Sequence, residues 1–233
     1  MFAEAELTDD RFLCGQLTLL QPVRGYRAAT DPVLLAAACP AKPGQSVLDL
    51  GCGAGAAALC LGRRVPGLTL AGLELQPAYA DLARRNALRN HIPLEVIANP
   101  PYYAPGGSPS PIEARARAMQ IETPLTAWVQ AATRRLRPGG WLTLICGTDG
   151  MPEVLAALAP RLGSASVLPL APREGRPALR IILQARKGGR AAFRLLAPLV
   201  IHQGPVHDGD RESYAPAANA VLRHGADLLA LFR

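Results

Sequence analysis

Short apolar runs punctuated by Gly and Pro alternate along the chain with longer segments of helical period. Residues 46–50 form an apolar run leading into Gly51-Cys52-Gly53-Ala54-Gly55. Residues 56–64 then read as a helix closed by Pro66-Gly67, and 68–75 as a strand carrying Glu74 near its end. A helix over 77–89 has Arg84, Arg85 and Arg89 on its polar side, and 94–98 is again strand-like. After a Pro/Gly/Ser-rich loop at 103–111, the pattern predicts a helix at 126–136, a strand at 141–146, a helix at 152–162 and closing strands at 167–170 and 179–185. Ahead of all this, 12–14 and 17–20 are β-prone and read as a hairpin or irregular cap. Thr30-Asp31-Pro32 opens an almost wholly apolar helix over 32–39, with Asp31 suited to cap it and Pro32 to its first turn. The tail, 202–233, reads as a polar loop and a last helix from about 215.

Strand alternating with helix predicts an α/β fold, a mostly parallel, doubly wound sheet covered on both faces with an antiparallel closing strand. No internal repeat or linker divides the chain, so 1–233 reads as one domain: a cap and helix over 1–40, a core over 41–200 and a tail over 201–233. In such sheets ligands bind beyond the carboxyl ends of strands. The glycine loop and Asn99-Pro100-Pro101-Tyr102-Tyr103 both fall there.

Composition changes the picture in two places. At 49% hydrophobic and 18% charged, the 233 residues can bury a substantial core. The net charge of +7 favours a polyanionic partner, nucleic acid being the usual one. Lysine occurs only at Lys42 and Lys187, however, and an Arg/Ala/Gly/Pro bias of coding origin would raise the charge equally. No apolar run approaches the roughly 20 residues of a bilayer span. The acidic start, with Glu4, Glu6, Asp9 and Asp10, does not fit a signal peptide. Five cysteines without a C-x-x-C pair suit reduced, buried thiols, so a cytoplasmic location is expected.

Two motifs carry chemistry. Glycines 51, 53 and 55 permit positive φ and close backbone approach to a ligand. Glu74 can accept hydrogen bonds from two ribose hydroxyls, and Asp49 can meet a cofactor's amino group. The G-x-G-x-x-G spacing of dehydrogenases is absent, since residue 56 is Ala. In the second motif, the Asn99 side-chain oxygen and the Pro100 carbonyl are suited to accept both N–H groups of a planar amine. That would favour a tetrahedral nitrogen with its lone pair exposed. Pro101 stiffens the turn, and Tyr102 offers a ring for base stacking, worth roughly 1–3 kcal/mol. Tyr103 joins Pro101 as a candidate substrate contact. Tyr26 and Asp31 would either line the cofactor or target pocket or serve as a core aromatic and a helix cap. Thr30 beside them is a candidate cofactor contact.

On these residues the chain resembles the SAM-dependent N-methyltransferases of the Asn-Pro-Pro-Tyr group. It is most similar to the bacterial adenine-N6 methyltransferase family that modifies a valine tRNA beside its anticodon. Gln21, Gly25-Tyr26-Arg27, Thr30-Asp31, Gly107-Ser108 and Arg137-Pro138-Gly139-Gly140 carry the closer likeness. The resemblance implies a Rossmann-like class I methyltransferase with S-adenosylmethionine (SAM) as cofactor. It implies that Asp49, Gly51 and Glu74 bind SAM, Asn99 and Pro100 hold the amine, Tyr102 stacks on the base, and tRNA is the partner. Guanine-N2 in RNA and a glutamine side chain in protein are alternative targets. An inactive RNA-binding relic is the alternative of another class.

One departure stands out. The family pattern has a further strand and an acidic, adenine-binding loop between the helix after Glu74 and the Asn-Pro-Pro-Tyr strand. Here 92–98 runs directly into Asn99, with no room for the dozen or so residues of a crossover. Either the stretch is deleted or residues are missing near Val96–Ile97; the family pattern on both flanks favours the second. Two lesser clusters stay open. His202, His207, Asp208 and Asp210 share one loop, for which a solvated loop without metal is expected. Arg115 and Arg117 would either touch phosphates or form a solvated helix face.

Overall fold

The computed structural model describes residues 1–94, 124–204 and 213–233. Asn99 to Tyr103, the 96–97 junction, Arg115, Arg117, His207, Asp208 and Asp210 lie outside the described residues.

The chain opens on an antiparallel hairpin, β1 (Leu7–Phe12) and β2 (Leu17–Pro22), in register from Leu7 opposite Pro22 to Phe12 opposite Leu17. The first strand lies ahead of the apolar run expected to form it. Leu13 and Cys14 occupy the turn with φ of 51° and 53°. The polar β1 is held through its side chains instead: Asp9 pairs with Arg89 at 2.6 Å and Asp10 with Arg27 at 2.5 Å. Helix α1 (Thr30–Ala38) is buried along nearly all its length, as its apolar composition requires. Its N-cap is Ala29, without a side-chain cap bond. Asp31 does not cap; its carboxylate is ion-paired with Arg180.

Next come β3 (Ser46–Leu50), α2 (Ala56–Arg64), β4 (Thr69–Leu73) and α3 (Pro77–Arg89). β3 and β4 pair in parallel, Ser46 opposite Thr69 and Leu50 opposite Leu73, with α2 as the crossover. Beyond them lie α4 (Leu125–Arg135), β5 (Trp141–Gly147) and α5 (Met151–Leu158). Then follow β6 (Leu162–Arg173), β7 (Arg180–Lys187), β8 (Arg194–Leu195), β9 (Leu199–His202) and α6 (Pro216–His224). α5 ends earlier than the predicted 162, because Pro160 lacks the N–H that would continue a helix. β7 lies between β5 and β6 and runs antiparallel to both, the antiparallel closing strand that was expected. β8 and β9 add to β6 in parallel and were not foreseen.

Alternate residues of these strands enter two separate cores. Ile145, Leu168 and Ile182 pack with α1, α2 and α6 on one face. Leu144, Val167 and Leu183 pack with α4 and α5 on the other. Among the described residues β3 and β4 form their own parallel pair, and the five-stranded sheet is mixed rather than mostly parallel; helices cover both of its faces, a Rossmann-like α/β fold.

Candidate active site

The site is built where β3 and β4 end side by side. Gly51, Gly53 and Gly55 all have positive φ, 83°, 53° and 86°. Three left-handed residues within five turn the chain sharply from β3 into α2, which only glycine does cheaply. The Gly51 N–H donates to the Leu73 carbonyl at 2.7 Å, tying the loop across the end of β4. A Cβ at Gly55 would only meet that of Ala83 in van der Waals contact at 3.4 Å, so it is the positive φ that calls for glycine there.

Glu74, just past β4, reaches back to this loop. One carboxylate oxygen accepts from the Gly53 N–H at 2.9 Å and the other from the Gln76 N–H at 2.7 Å. Each oxygen keeps acceptor capacity for a ligand hydroxyl. Asp49 is fully buried, and neither carboxylate oxygen has a hydrogen-bond partner among the described residues. Burial, reinforced by the charge of Glu74, pushes its carboxyl well above the usual range. Burial, with Asp49 and Glu74 adding to it, also pushes the Cys52 thiol up, which keeps it protonated and unreactive. A buried acid without a donor is costly unless a cationic or donating group completes it.

Of the two readings of Tyr26, the structure brings it to the glycine loop. A Cβ on Gly53 would lie 3.6 Å from its ring. The Tyr26 N–H donates to the Tyr79 hydroxyl at 2.8 Å, and that hydroxyl donates to the Tyr26 carbonyl at 3.1 Å. Thr30 sits half-buried in the first turn of α1, with no hydrogen bond to the loop among the described residues. The proposed amine-binding residues Asn99, Pro100, Pro101, Tyr102 and Tyr103 are outside the described residues.

The positioning roles of three residues escaped the sequence reading. Asn86, fully buried on α3, donates to the carbonyls of Leu20 and Ala54 at 3.0 Å each and accepts from the Leu20 N–H at 2.7 Å. It fastens the hairpin to the glycine loop. Gln21 accepts from the Ala28 N–H at 2.7 Å and donates to the Ala28 carbonyl at 3.1 Å and to Asp10 at 2.6 Å. It thereby fixes the turn that presents Tyr26, and Tyr79 holds the same turn from α3. A polar side chain on the apolar face of α3 was the available signal for Asn86.

Residues 29–164, more than half of the chain, match the family described as the methyltransferase small domain. The chain belongs to this family. It is similar to a tRNA1(Val) (adenine(37)-N6)-methyltransferase of Dickeya chrysanthemi, 28% identical over 222 residues, 84% of this chain and 86% of the relative. It is also similar to a ribosomal protein L11 methyltransferase of Burkholderia ambifaria, 34% identical over 103 residues. That match takes in 44% of this chain and only 32% of the relative. Among solved structures it resembles a predicted O-methyltransferase of Agrobacterium tumefaciens, with a TM-score of 0.65 and 25% identity over 84% of this chain and 97% of the other. The fold is shared with a 16S rRNA N2 G1207 methyltransferase of T. Thermophilus, solved with SAM and guanosine, at a TM-score of 0.51 and 21% identity. This match covers 78% of this chain and 50% of the other.

The protein is thus a SAM-dependent methyltransferase of class I fold. Its residues fit that cofactor. The glycine loop leaves room a Cβ would fill, Glu74 offers acceptors to a ribose, and the unpartnered Asp49 suits a cationic ligand. When bound, SAM supplies an activated methyl group on a positively charged sulfur. Among the described residues no helix is long and apolar enough to cross a membrane, and no three His, Cys, Asp or Glu side chains cluster to hold a metal. Of the loop that raised a metal question, the described His202 stacks on Tyr214, ring centroids 5.0 Å apart.

Proposed function

We propose that this methyltransferase methylates the exocyclic N6 amine of an adenine in tRNA. The observation that carries the reading is the likeness to the Dickeya relative, which runs through 84% of this chain and 86% of that one. The match to the protein-modifying relative is confined to 32% of that enzyme. Asn99-Pro100-Pro101-Tyr102, downstream of the glycine loop, supplies the chemistry. The Asn99 side-chain oxygen and the Pro100 carbonyl accept the two amine N–H groups and turn the nitrogen lone pair toward the incoming methyl. Tyr102 stacks on the base; Pro101 and Tyr103 shape the pocket beside it. The N–C bond would form as the methyl–sulfur bond breaks, its electron pair staying on sulfur to leave a neutral thioether, and one N–H proton would leave to solvent. No strong base is needed, because much of the rate comes from aligning the nucleophile with the methyl group. Glu74, Asp49, Gly51, Gly53 and Gly55 hold the cofactor, with Thr30 at the edge of its site and Tyr26 between cofactor and target.

The test is methyl transfer from radiolabelled SAM to total tRNA, ribosomal RNA and total protein, with wild type and Asn99→Ala. The reading expects label in tRNA, lost in Asn99→Ala by more than about a hundredfold while SAM binding persists. Label in protein or ribosomal RNA instead would overturn it. Absence of SAM binding by wild type would favour the relic.

A further inference from the structure

The excess positive charge of this chain is not spread over its surface. Residues 134–137, 161 and 186–194 hold eight of the 25 Lys and Arg and none of the 18 Asp and Glu, so the remaining 17 basic residues meet 18 acidic ones. These segments are far apart in sequence but meet at one end of the sheet. The Gly139 N–H donates to the Lys187 carbonyl at 3.0 Å, and the Lys187 N–H to the Gly140 carbonyl at 2.9 Å. The Gly188 N–H donates to the Arg161 carbonyl at 3.0 Å.

That end is remote from the cofactor site. Helix α1 starts beside Tyr26 and the glycine loop, where Asp31 pairs with Arg180 at the start of β7. It ends at Ala38, whose carbonyl accepts from Gln184 further along β7. The basic turns begin at Arg186, past Gln184. At about 3.3 Å per residue, the six steps from Arg180 to Arg186 span about 20 Å.

The local chemistry is that of a polyanion surface. Arg134, Arg135, Arg137, Arg161 and Arg190 are exposed, and their guanidinium groups make no hydrogen bond or ion pair among the described residues. Arg134, Arg135 and Arg161 lie near the negative ends of α4 and α5, but Arg190 follows no helix. Aromatic surface lies among them. Trp141 is 40% exposed with Arg186 over its ring at 5.9 Å, and Phe193 is 53% exposed. Arginine interleaved with exposed aromatics matches phosphate neutralisation together with base stacking.

We propose that this end of the sheet is a second RNA-binding surface, gripping the phosphate backbone of a structured RNA arm while the target base is methylated at the cofactor site, on the side of Arg180 about 20 Å away. This rests on the RNA reading above and deepens it. A free nucleotide or a short loop cannot reach both places, so the surface selects for the body of the RNA rather than for the base.

The test compares wild type with the quadruple variant Arg135→Gln, Arg137→Gln, Arg161→Gln and Arg190→Gln. Total bacterial tRNA, a short adenine-bearing hairpin and vesicles of anionic phospholipid serve as probes. The variant should bind tRNA about tenfold or more weakly, with a salt dependence shallower by about one unit for each phosphate it no longer neutralises. Its KM for tRNA should rise while kcat, SAM affinity and methylation of the hairpin stay as in wild type. Unchanged tRNA affinity and KM, with tRNA still methylated, would overturn this proposal and leave the RNA reading standing. Methylation of protein and not of RNA would sink the RNA reading, and the tRNA affinity of the variant would still report on the surface. Loss of vesicle binding with intact tRNA affinity would assign the surface to a membrane and overturn the proposal.

Discussion

Asp49 is the residue whose physical chemistry is least explained by folding alone. It is fully buried with both oxygens unpartnered among the described residues, a cost that a cationic ligand relieves. Its carboxyl titrates well above the usual range in the folded protein because burial and Glu74 disfavour the charge. The folded state therefore keeps this proton to higher pH than the unfolded chain. The stability it confers is present below the ordinary carboxylate pKa of about 4 and is lost as pH rises toward the raised folded value. Asp49→Asn should flatten that loss. Without cofactor its melting temperature should exceed that of wild type at about pH 8, with a smaller margin at about pH 5, while SAM affinity falls. Parallel melting profiles of the two proteins across this range would contradict the assignment. Gly51, Gly53, Gly55 and Glu74 were legible because a strand, a glycine cluster and an acid at the next strand end form a local pattern. The ion pair of Asp31 was not, because Arg180 lies 149 residues away and only the fold brings it near.

At the scale of elements, sequence punctuation worked where it was strong. α2 and α3 begin and end as read because Gly55, Pro66-Gly67 and Pro77 bound them. It failed where tertiary partners decide. β1 is polar and is held by Arg27 and Arg89, and β8 and β9 are short strands that exist only because β6 offers an edge. The fastening of β2 to the glycine loop through Asn86 is testable. Asn86→Ala strands two carbonyls and one N–H in buried surroundings, and should cost about 3 kcal/mol in denaturant unfolding. It should also raise the KM for SAM more than it lowers kcat. A loss under about 0.5 kcal/mol would show that the loop does not depend on this link. Asp31→Ala, which leaves the partly exposed Arg180 without its partner, should cost about 2 kcal/mol by the same measurement.

Over the whole molecule, the charge of +7 turned out to be informative through its placement, not its size. The acids Asp49 and Glu74 lie at the end of the β3–β4 pair, while the far end of the β5–β7–β6 sheet gathers arginines without counter-ions among the described residues. A substrate touching both must be tall and polyanionic, which a structured RNA is and a protein glutamine or a free nucleoside is not. Family and cofactor were readable from the sequence because they rest on local motifs; the choice of target was not, since it depends on surfaces assembled from distant segments. The target atom separates these substrates. Wild-type protein, tRNA lacking the modification and SAM carrying a deuterated methyl group, followed by digestion and mass spectrometry of the nucleosides, tests it most directly. The label is expected in N6-methyladenosine from tRNA. Label in N2-methylguanosine, or no label in any nucleoside while SAM binds, would contradict it.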